Sequence, residues 1–173
     1  MTDAESGSML CLQAQPFLPP PLLTMRITST IASLLKDKPR KVWSISEDST
    51  VFEAIELMAG KNIGALPVMS NGKLLGILSE RDYTRKIAIE GKSSKSTSVG
   101  EIISADFISV SPNSTIDECM HLMTEHRIRH LPVVQTDELV GIISIGDLVN
   151  WIISAQGIAI EQLENFITGS YPG

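Results

Sequence analysis

The chain is poor in aromatic residues, almost without cysteine and short of positive charge. Aromatics make up 5% of its 173 residues, so any core must be built from Ile, Leu, Val and Met. The two cysteines, Cys11 and Cys119, lie far apart and outside any Cys-x-x-Cys pattern. That argues against a disulfide framework and a cysteine zinc site, and it fits a reducing compartment. A cytoplasmic location is therefore expected. Fourteen Lys and Arg against twenty Asp and Glu give a net charge of -6 and a pI near 5.0. A nucleic-acid surface normally shows a broad basic face, so nucleic acid is not an expected partner. No apolar run reaches the roughly 18 residues that a bilayer span needs, and no membrane association is expected. Residues 1–24 contain no Lys or Arg but carry Asp3 and Glu5, which argues against both a secretory signal and a mitochondrial transit peptide. They read as a disordered extension. Met25 opens "MRITSTIASLLKDK", a better globular start and the expected beginning of the physiological chain.

What remains is 43% hydrophobic and 20% charged, as in a soluble globular protein of one compact domain or two small halves sharing a core. Its dominant feature is a repeat. "STVFEAIELM" at Ser49 returns as "STIDECMHLM" at Ser114, "LPV" at 66–68 returns at 131–133, and "LLGILSERD" (74–82) answers "LVGIISIGD" (139–147). The offset is 65 throughout, and residues 42–82 and 107–147 share 16 identities in 41 positions. Each copy predicts a short strand at 42–46 or 107–111, then a helix opened by a capping box, Thr50/Glu53 or Thr115/Glu118. A stripe of Val51, Ile55 and Met58, or Ile116, Met120 and Met123, faces the core. A Pro-containing strand, a hairpin ("NGK" strongly, "TDE" weakly), a nearly all-apolar strand and a second helix follow. That helix spans about Asp82–Ile89 in the first copy and Ile145 to about Ile167 in the second. The fold class is α/β (α+β): two pseudo-symmetric β-α-β-β-α repeats, each too small to be stable alone, packed as one module with a cleft between them. The expected division is an extension at 1–24, a helical lead-in at 25–39, repeat 1 at 40–95 and repeat 2 at 96–173 with a long C-terminal helix. The stretch "EGKSSKSTS" (90–98) reads as a mobile linker.

The paired "LPV", "LLGILSERD" and "LVGIISIGD" segments, at constant spacing over residues 40–150, make the chain resemble a tandem pair of cystathionine-β-synthase-type (CBS) domains, a Bateman module. It resembles the stand-alone members. The resemblance implies a regulatory module that binds an adenosine-containing ligand (AMP, ADP, ATP or NAD) between its halves, often as a disc-like homodimer. It implies no obligatory cofactor and a regulated protein partner that the sequence does not name.

Two constellations carry the expected site. Gly-x-x-Ser-x-x-Asp occurs twice, giving Ser79 and Asp82, then Ser144 and Asp147. Each runs from a buried strand into a helix start. Such a pair serves equally as a helix cap and as a sugar site, because a carboxylate accepts ribose hydroxyls while a serine hydroxyl bonds ribose or phosphate. Family members use these positions in the second way. The other constellation is "HRIRH": His126, Arg127, Arg129 and His130. Cations suit the end of a helix, but four such residues in five exceed a cap, and arginine's fork suits phosphate. The His126–Arg127 pair is similar to the phosphate-contacting pair of the gamma subunit of AMP-activated kinase. The first copy has Gly64 and Ala65 instead, a small open wall for base or ribose. Arg81 either reaches a second phosphate or pairs with Glu80 or another acid. The expected crevice grips a sugar at Asp147 and an anionic tail at Arg127.

Other readings are weaker. His121, His126 and His130 do not form a zinc pattern, no catalytic site is expected, and Cys119 reads as core packing. Leu148, Trp151, Ile152, Ala155, Ile158, Leu163 and Phe166 give the last helix an apolar face wide enough to meet a second subunit as well as the core. The alternative function is a structural dimerisation module whose clefts hold nothing.

Overall fold

The computed structural model describes residues 29–38, 41–103 and 106–168, with the side chains of 158–168 left aside. The extension at 1–24 lies outside the described residues. The first repeat runs β1 (Ile45–Ser46), α2 (Val51–Lys61), β2 (Ala65–Ser70), β3 (Lys73–Ser79) and α3 (Glu80–Tyr83). The second runs α4 (Ile116–Glu125), β4 (His130–Gln135), β5 (Glu138–Ser144) and α5 (Ile145–Thr168), and the short α1 (Ile31–Asp37) precedes both. Both capping boxes form as the sequence requires, on Thr50/Glu53 and Thr115/Glu118. The two cores match position by position at the repeat offset. Val51, Ala54, Met58, Leu66, Val68 and Leu78 are buried in one, and Ile116, Cys119, Met123, Leu131, Val133 and Ile143 in the other. Ile55 and Met120 pack at the margins of these cores.

The first strand of each repeat is shorter than expected. β1 pairs in parallel with β2 only at Ile45 and Ser46, and the stretch 107–111 contributes a single bridge, Val110 to Val133. Proline explains both. The Val110 N–H donates to the Pro132 carbonyl at 3.1 Å, and the Val134 N–H donates to the Val110 carbonyl at 2.8 Å. The next rung upstream needs an N–H from Pro132, which has none. Pro67 stands in the same register against β1. The residues ahead of each bridge are thereby released from the sheet.

The second helix of repeat 1 also differs from expectation. It stops as α-helix at Tyr83 and widens into a π turn over Thr84–Ala88. The Thr84 hydroxyl donates to the Glu80 carbonyl at 3.1 Å, and the following backbone bonds lengthen to i+5, as from the Ile89 N–H to the Thr84 carbonyl. A threonine bonding back to i−4 competes with the helix ladder in this way.

The segments ahead of the two repeats cross over, each packing on the core of the other repeat. Ile31 and Leu34 of α1, which precede repeat 1, are buried in the core of repeat 2. Thr30 bridges Thr115, and the Ile31 N–H donates to the Ser114 carbonyl at 2.9 Å. Residues 93–103, which lie ahead of the first strand segment of repeat 2, close the core of repeat 1 with Val99 and Ile102. Ser98 bridges Thr50, and the Val99 N–H donates to the Ser49 carbonyl at 2.8 Å. The expected mobile linker is therefore largely docked. Ser94 and Thr97 offer their carbonyls to the first N–H groups of α2, and Thr97 is 7% exposed. Four unpaired N–H groups at a helix start need such partners.

Both hairpins turn on two residues with positive φ: Asn71 and Gly72 (48° and 79°), then Thr136 and Asp137 (51° and 64°). Asn-Gly suits this geometry, whereas β-branched Thr136 resists it. Replacing Thr136–Asp137 by Asn-Gly is expected to stabilise the protein by about 1 kcal/mol in urea unfolding. An unchanged or lowered midpoint contradicts that account of the turn.

Candidate functional site

The crossed chain path creates two clefts. Between α1, packed on the second core, and β1, in the first sheet, the chain passes through Lys41, Val42 and Trp43, and these residues wall a cavity of about 850 Å³. Between the two halves again, on the way from Ile102 to Val110, it passes through Asp106, Phe107 and Ile108, which wall a second cavity of about 490 Å³. The residues freed by Pro67 and Pro132 are the ones that line these clefts. The two are related by the repeat offset: Trp43 answers Ile108, Gly64 answers Arg129, and Ser144 and Asp147 answer Ser79 and Asp82.

Every cleft combines one repeat's Ser/Asp pair with the other repeat's helix-to-strand turn. The larger cleft gathers Ser144, Asp147, Gly64, Ala65 and His130. The smaller gathers Ser79, Asp82 and Arg81 with His126, Arg127, Arg129 and, again, His130. Asp147 and Arg127 therefore line different cavities, which corrects the expectation of one crevice with the sugar end at Asp147 and the anionic end at Arg127. The physical reason is the pseudo-twofold packing. It sets each "GxxSxxD" turn against the other copy's 61–65 or 126–130 turn, so repeat 2 does not face its own clamp.

The Ser/Asp pairs are caps, and they keep capacity to spare. Asp82 Oδ2 accepts from the Ser79 N–H at 3.0 Å and from its hydroxyl at 2.6 Å. Asp147 Oδ2 accepts the equivalent bonds from Ser144 at 2.6 and 2.7 Å. These bonds use one oxygen of each carboxylate and fix the other. Asp147 has a third partner, the Lys38 ammonium at 2.6 Å, which also donates to the Ile142 carbonyl at 3.1 Å. Burial raises the Asp147 pKa, but the Lys38 and Ser144 hydrogen bonds outweigh it, so the carboxyl titrates below its ordinary range. Lys86 stands 3.7 Å from Asp82 Oδ1 and donates to the Ile102 carbonyl at 2.5 Å.

Both clefts are cationic in a protein of net charge -6. Arg81, Arg85, Arg127 and Arg129 outnumber Asp82 and Asp106 around the smaller one. Lys36, Lys38 and Lys41 outnumber Asp147 around the larger one. Trp43 adds a π face there, with the ammonium groups of Lys41 and Lys61 at 3.8 and 4.4 Å from its ring centre. Lys38, Lys41, Trp43 and Arg85 escape the sequence reading. Trp43 carried a signal, an aromatic side chain just ahead of a strand in a chain with few.

Arg81 and His130 depart from expectation, and Cys119 does not. Arg81 turns to the other repeat: its guanidinium donates to the Arg127 carbonyl at 3.0 Å and so ties the two repeats across the smaller cleft. His130 does not add positive charge at neutral pH. Burial first, then the neighbouring Arg129 and Lys38, lower its pKa against the opposing pull of Asp147 and Glu80. Its neutral ring borders both clefts and lies against Gly64, where a Cβ would come within 3.4 Å of it. Cys119 is buried, and burial pushes its thiol up to about 11, as befits core packing.

Arg127 occupies a left-handed backbone position (φ 53°), equivalent to Asn62 in repeat 1 (φ 53°). Asparagine tolerates that conformation; arginine there costs more. An arginine held at a position better suited to asparagine points to a task for its side chain. Arg127→Asn is accordingly expected to raise stability by about 0.5–1 kcal/mol in thermal unfolding while weakening anion binding. Lower stability in the variant contradicts this reading.

The CBS domain family model matches the chain twice, over residues 38–89 and 99–154. Among curated proteins, the mitochondrial CBS domain-containing protein CBSX3 of Arabidopsis thaliana is 38% identical over 154 residues, covering 83% of this chain and 74% of that protein. YhcV of Bacillus subtilis, also a CBS domain-containing protein, is 35% identical over 75% of this chain and 85% of its own length. A solved protein with CBS domains from Burkholderia ambifaria superposes with a TM-score of 0.72 at 48% identity, covering 74% of this chain and 96% of that one. Repeat, fold and relatives agree: this chain belongs to the CBS domain family and carries the domain as a tandem pair.

Proposed function

We propose that the protein is a regulatory sensor that binds an anionic adenosine-containing ligand (AMP, ADP, ATP or NAD) in its inter-repeat clefts and passes the bound state to a protein partner. CBS pairs are generally regulatory modules, and that sets the class. The observation that carries the ligand reading is the pairing, in each of two equivalent clefts, of a serine-oriented aspartate with an excess of cations in an otherwise acidic protein. The carboxylate suits sugar hydroxyls and the cations suit phosphate. In the smaller cleft Asp82 and Ser79 take the sugar, and Arg127, Arg129 and Arg81 take the anionic tail, with His126 beside them. In the larger cleft Asp147 and Ser144 take the sugar, while Gly64 and Ala65 leave room for the base. Both repeats contribute to each cleft, so a ligand that binds one arrangement better shifts their relative placement.

The activity proposed is binding without turnover, and the cytoplasmic setting proposed rests on the two widely spaced cysteines of the sequence. Among the described residues no helix is long and apolar enough to cross a membrane, and no three His, Cys, Asp or Glu side chains cluster as metal ligands. The assembly is a homodimer. Val149 and Ile153 stand four apart on one face of α5 at 40% and 62% exposure, an apolar surface suited to a second copy. Leu148 is buried, and Trp151 and Ile152 pack on the core, so the dimer face is not the whole set expected from sequence. Ala155 is exposed, while the side chains of Ile158, Leu163 and Phe166 lie outside the described residues.

Calorimetry and thermal unfolding with AMP, ADP, ATP and NAD, accompanied by light scattering, test this reading. At ligand concentrations near 100 Kd, stabilisation of about 2.7 kcal/mol is expected, a rise of roughly 5–10 °C for a chain of this size. Arg127→Ala is expected to lower the affinity of the smaller cleft about tenfold or more. The scattering mass is expected to be twice 18.8 kDa. No heat and no melting shift at millimolar concentration of any of the four ligands removes the ligand reading, and a single-chain mass removes the dimer.

A further inference from the structure

We infer that Lys38 makes the larger cleft selective for anionic ligands: it holds Asp147 in the empty cleft and must be transferred to the ligand's phosphate before a sugar can take its place. This rests on the nucleotide-binding reading and adds a discrimination that the 65-residue repeat does not contain. Lys38 lies outside the 65-residue repeat, at the end of α1, and reaches Asp147 from 109 residues away in sequence.

Two partners compete for Asp147, the Lys38 ammonium and a ligand's sugar. The Lys38 ammonium sits 2.6 Å from Asp147 Oδ2, and both side chains are half-buried at the cleft wall. A charge-assisted bond of this length is roughly twice as strong as one from a neutral hydroxyl. Asp147 Oδ1 is open to one hydroxyl, but a ribose that binds through both hydroxyls needs Oδ2 as well; a neutral hydroxyl is a poor competitor for it, and displacing the ammonium without a new anion leaves a half-buried cation uncompensated. A ligand carrying phosphate removes that difficulty. The lysine stem is flexible and its charge compact, so it swings from carboxylate to phosphate while the Ile142 carbonyl, 3.1 Å away, remains a second acceptor. Lys36 and Lys41 on the same wall favour the anion further. An uncharged nucleoside gets no such exchange. In the smaller cleft the cation nearest Asp82 is Lys86, which stands 3.7 Å from the carboxylate and donates to Ile102, so the same gate is not built there.

The test compares AMP with adenosine, which share base and sugar and differ in the phosphate. The background is the full chain carrying Asp82→Asn and Arg127→Ala, which silences the smaller cleft. With Lys38 present, AMP is expected to bind at least about tenfold more tightly than adenosine. With Lys38→Met, adenosine binding tightens because Asp147 is free, AMP binding does not, and the ratio falls to within about threefold. Lys38→Gln, which keeps a donor without charge, is expected to follow Lys38→Met. The ratio cancels any general loss of folded protein. If AMP binds and the ratio is unchanged by both substitutions, the role of Lys38 is overturned while the nucleotide reading stands. If neither compound binds any of these proteins at millimolar concentration, although each melts cooperatively, the nucleotide reading of this cleft falls and the gate falls with it.

Discussion

The structure depends on a crossing of the chain. Each CBS repeat is completed by the segment that precedes the other: α1 closes the second core with Ile31 and Leu34, and residues 93–103 close the first with Val99 and Ile102. A three-strand repeat of this size is too small to hold alone, so the crossing is a condition for stability. It also determines where the clefts lie. The chain must travel between cores twice, and both passages run past a "GxxSxxD" turn of one repeat and the helix-to-strand turn of the other. Pro67 and Pro132 complete the arrangement by ending the parallel ladder early, which leaves 41–44 and 106–109 free to act as cleft walls.

Electrostatics then separates two clefts that topology makes alike. The repeat offset places Gly64 and Ala65 opposite Ser144 and Asp147, and Arg129 and His130 opposite Ser79 and Asp82. One cleft becomes roomy, lysine-lined and faced by Trp43; the other becomes smaller and arginine-rich. Arginine's planar fork and lysine's mobile point charge bind phosphate differently. On the proposed function, the two clefts would therefore place different demands on a ligand even though they share a carboxylate–serine pair. Among the described residues, His130, whose pKa burial lowers, is the side chain that lines both clefts.

Much of this is legible in the sequence, because the repeat is carried by residues whose roles are local. Thr50 and Thr115 cap, Asn71 and Gly72 turn, and Met58 and Met123 pack; each follows from spacing and residue type alone. The crossing was harder to see. Its signal is "STIASLL" at 29–35 against "TSVGEII" at 97–103, a second alignment in which Thr30 answers Ser98 and Leu34 answers Ile102. That register is 68, not 65, and these seven positions hold no identity, since only apolar character and a capping hydroxyl are required there. The site residues were legible one by one, but not their grouping. Which serine–aspartate pair meets which clamp is decided by how two halves pack, and a side chain such as Lys38 enters from beyond the repeat. The left-handed Arg127 is likewise tertiary in origin, since nothing in "EHRIR" dictates it, whereas the π turn after Tyr83 has a local cause in the Thr84 hydroxyl bond to the Glu80 carbonyl.

The central claim is that one chain holds two separate, pseudo-equivalent clefts, each closed by a different aspartate. Native mass spectrometry of the intact protein titrated with ATP measures this directly by counting ligands per chain. The account predicts two for the unaltered protein, and one for each of Asp82→Asn and Asp147→Asn. A single ligand per unaltered chain, lost equally with either substitution, would mean that both carboxylates serve one crevice and would contradict the account.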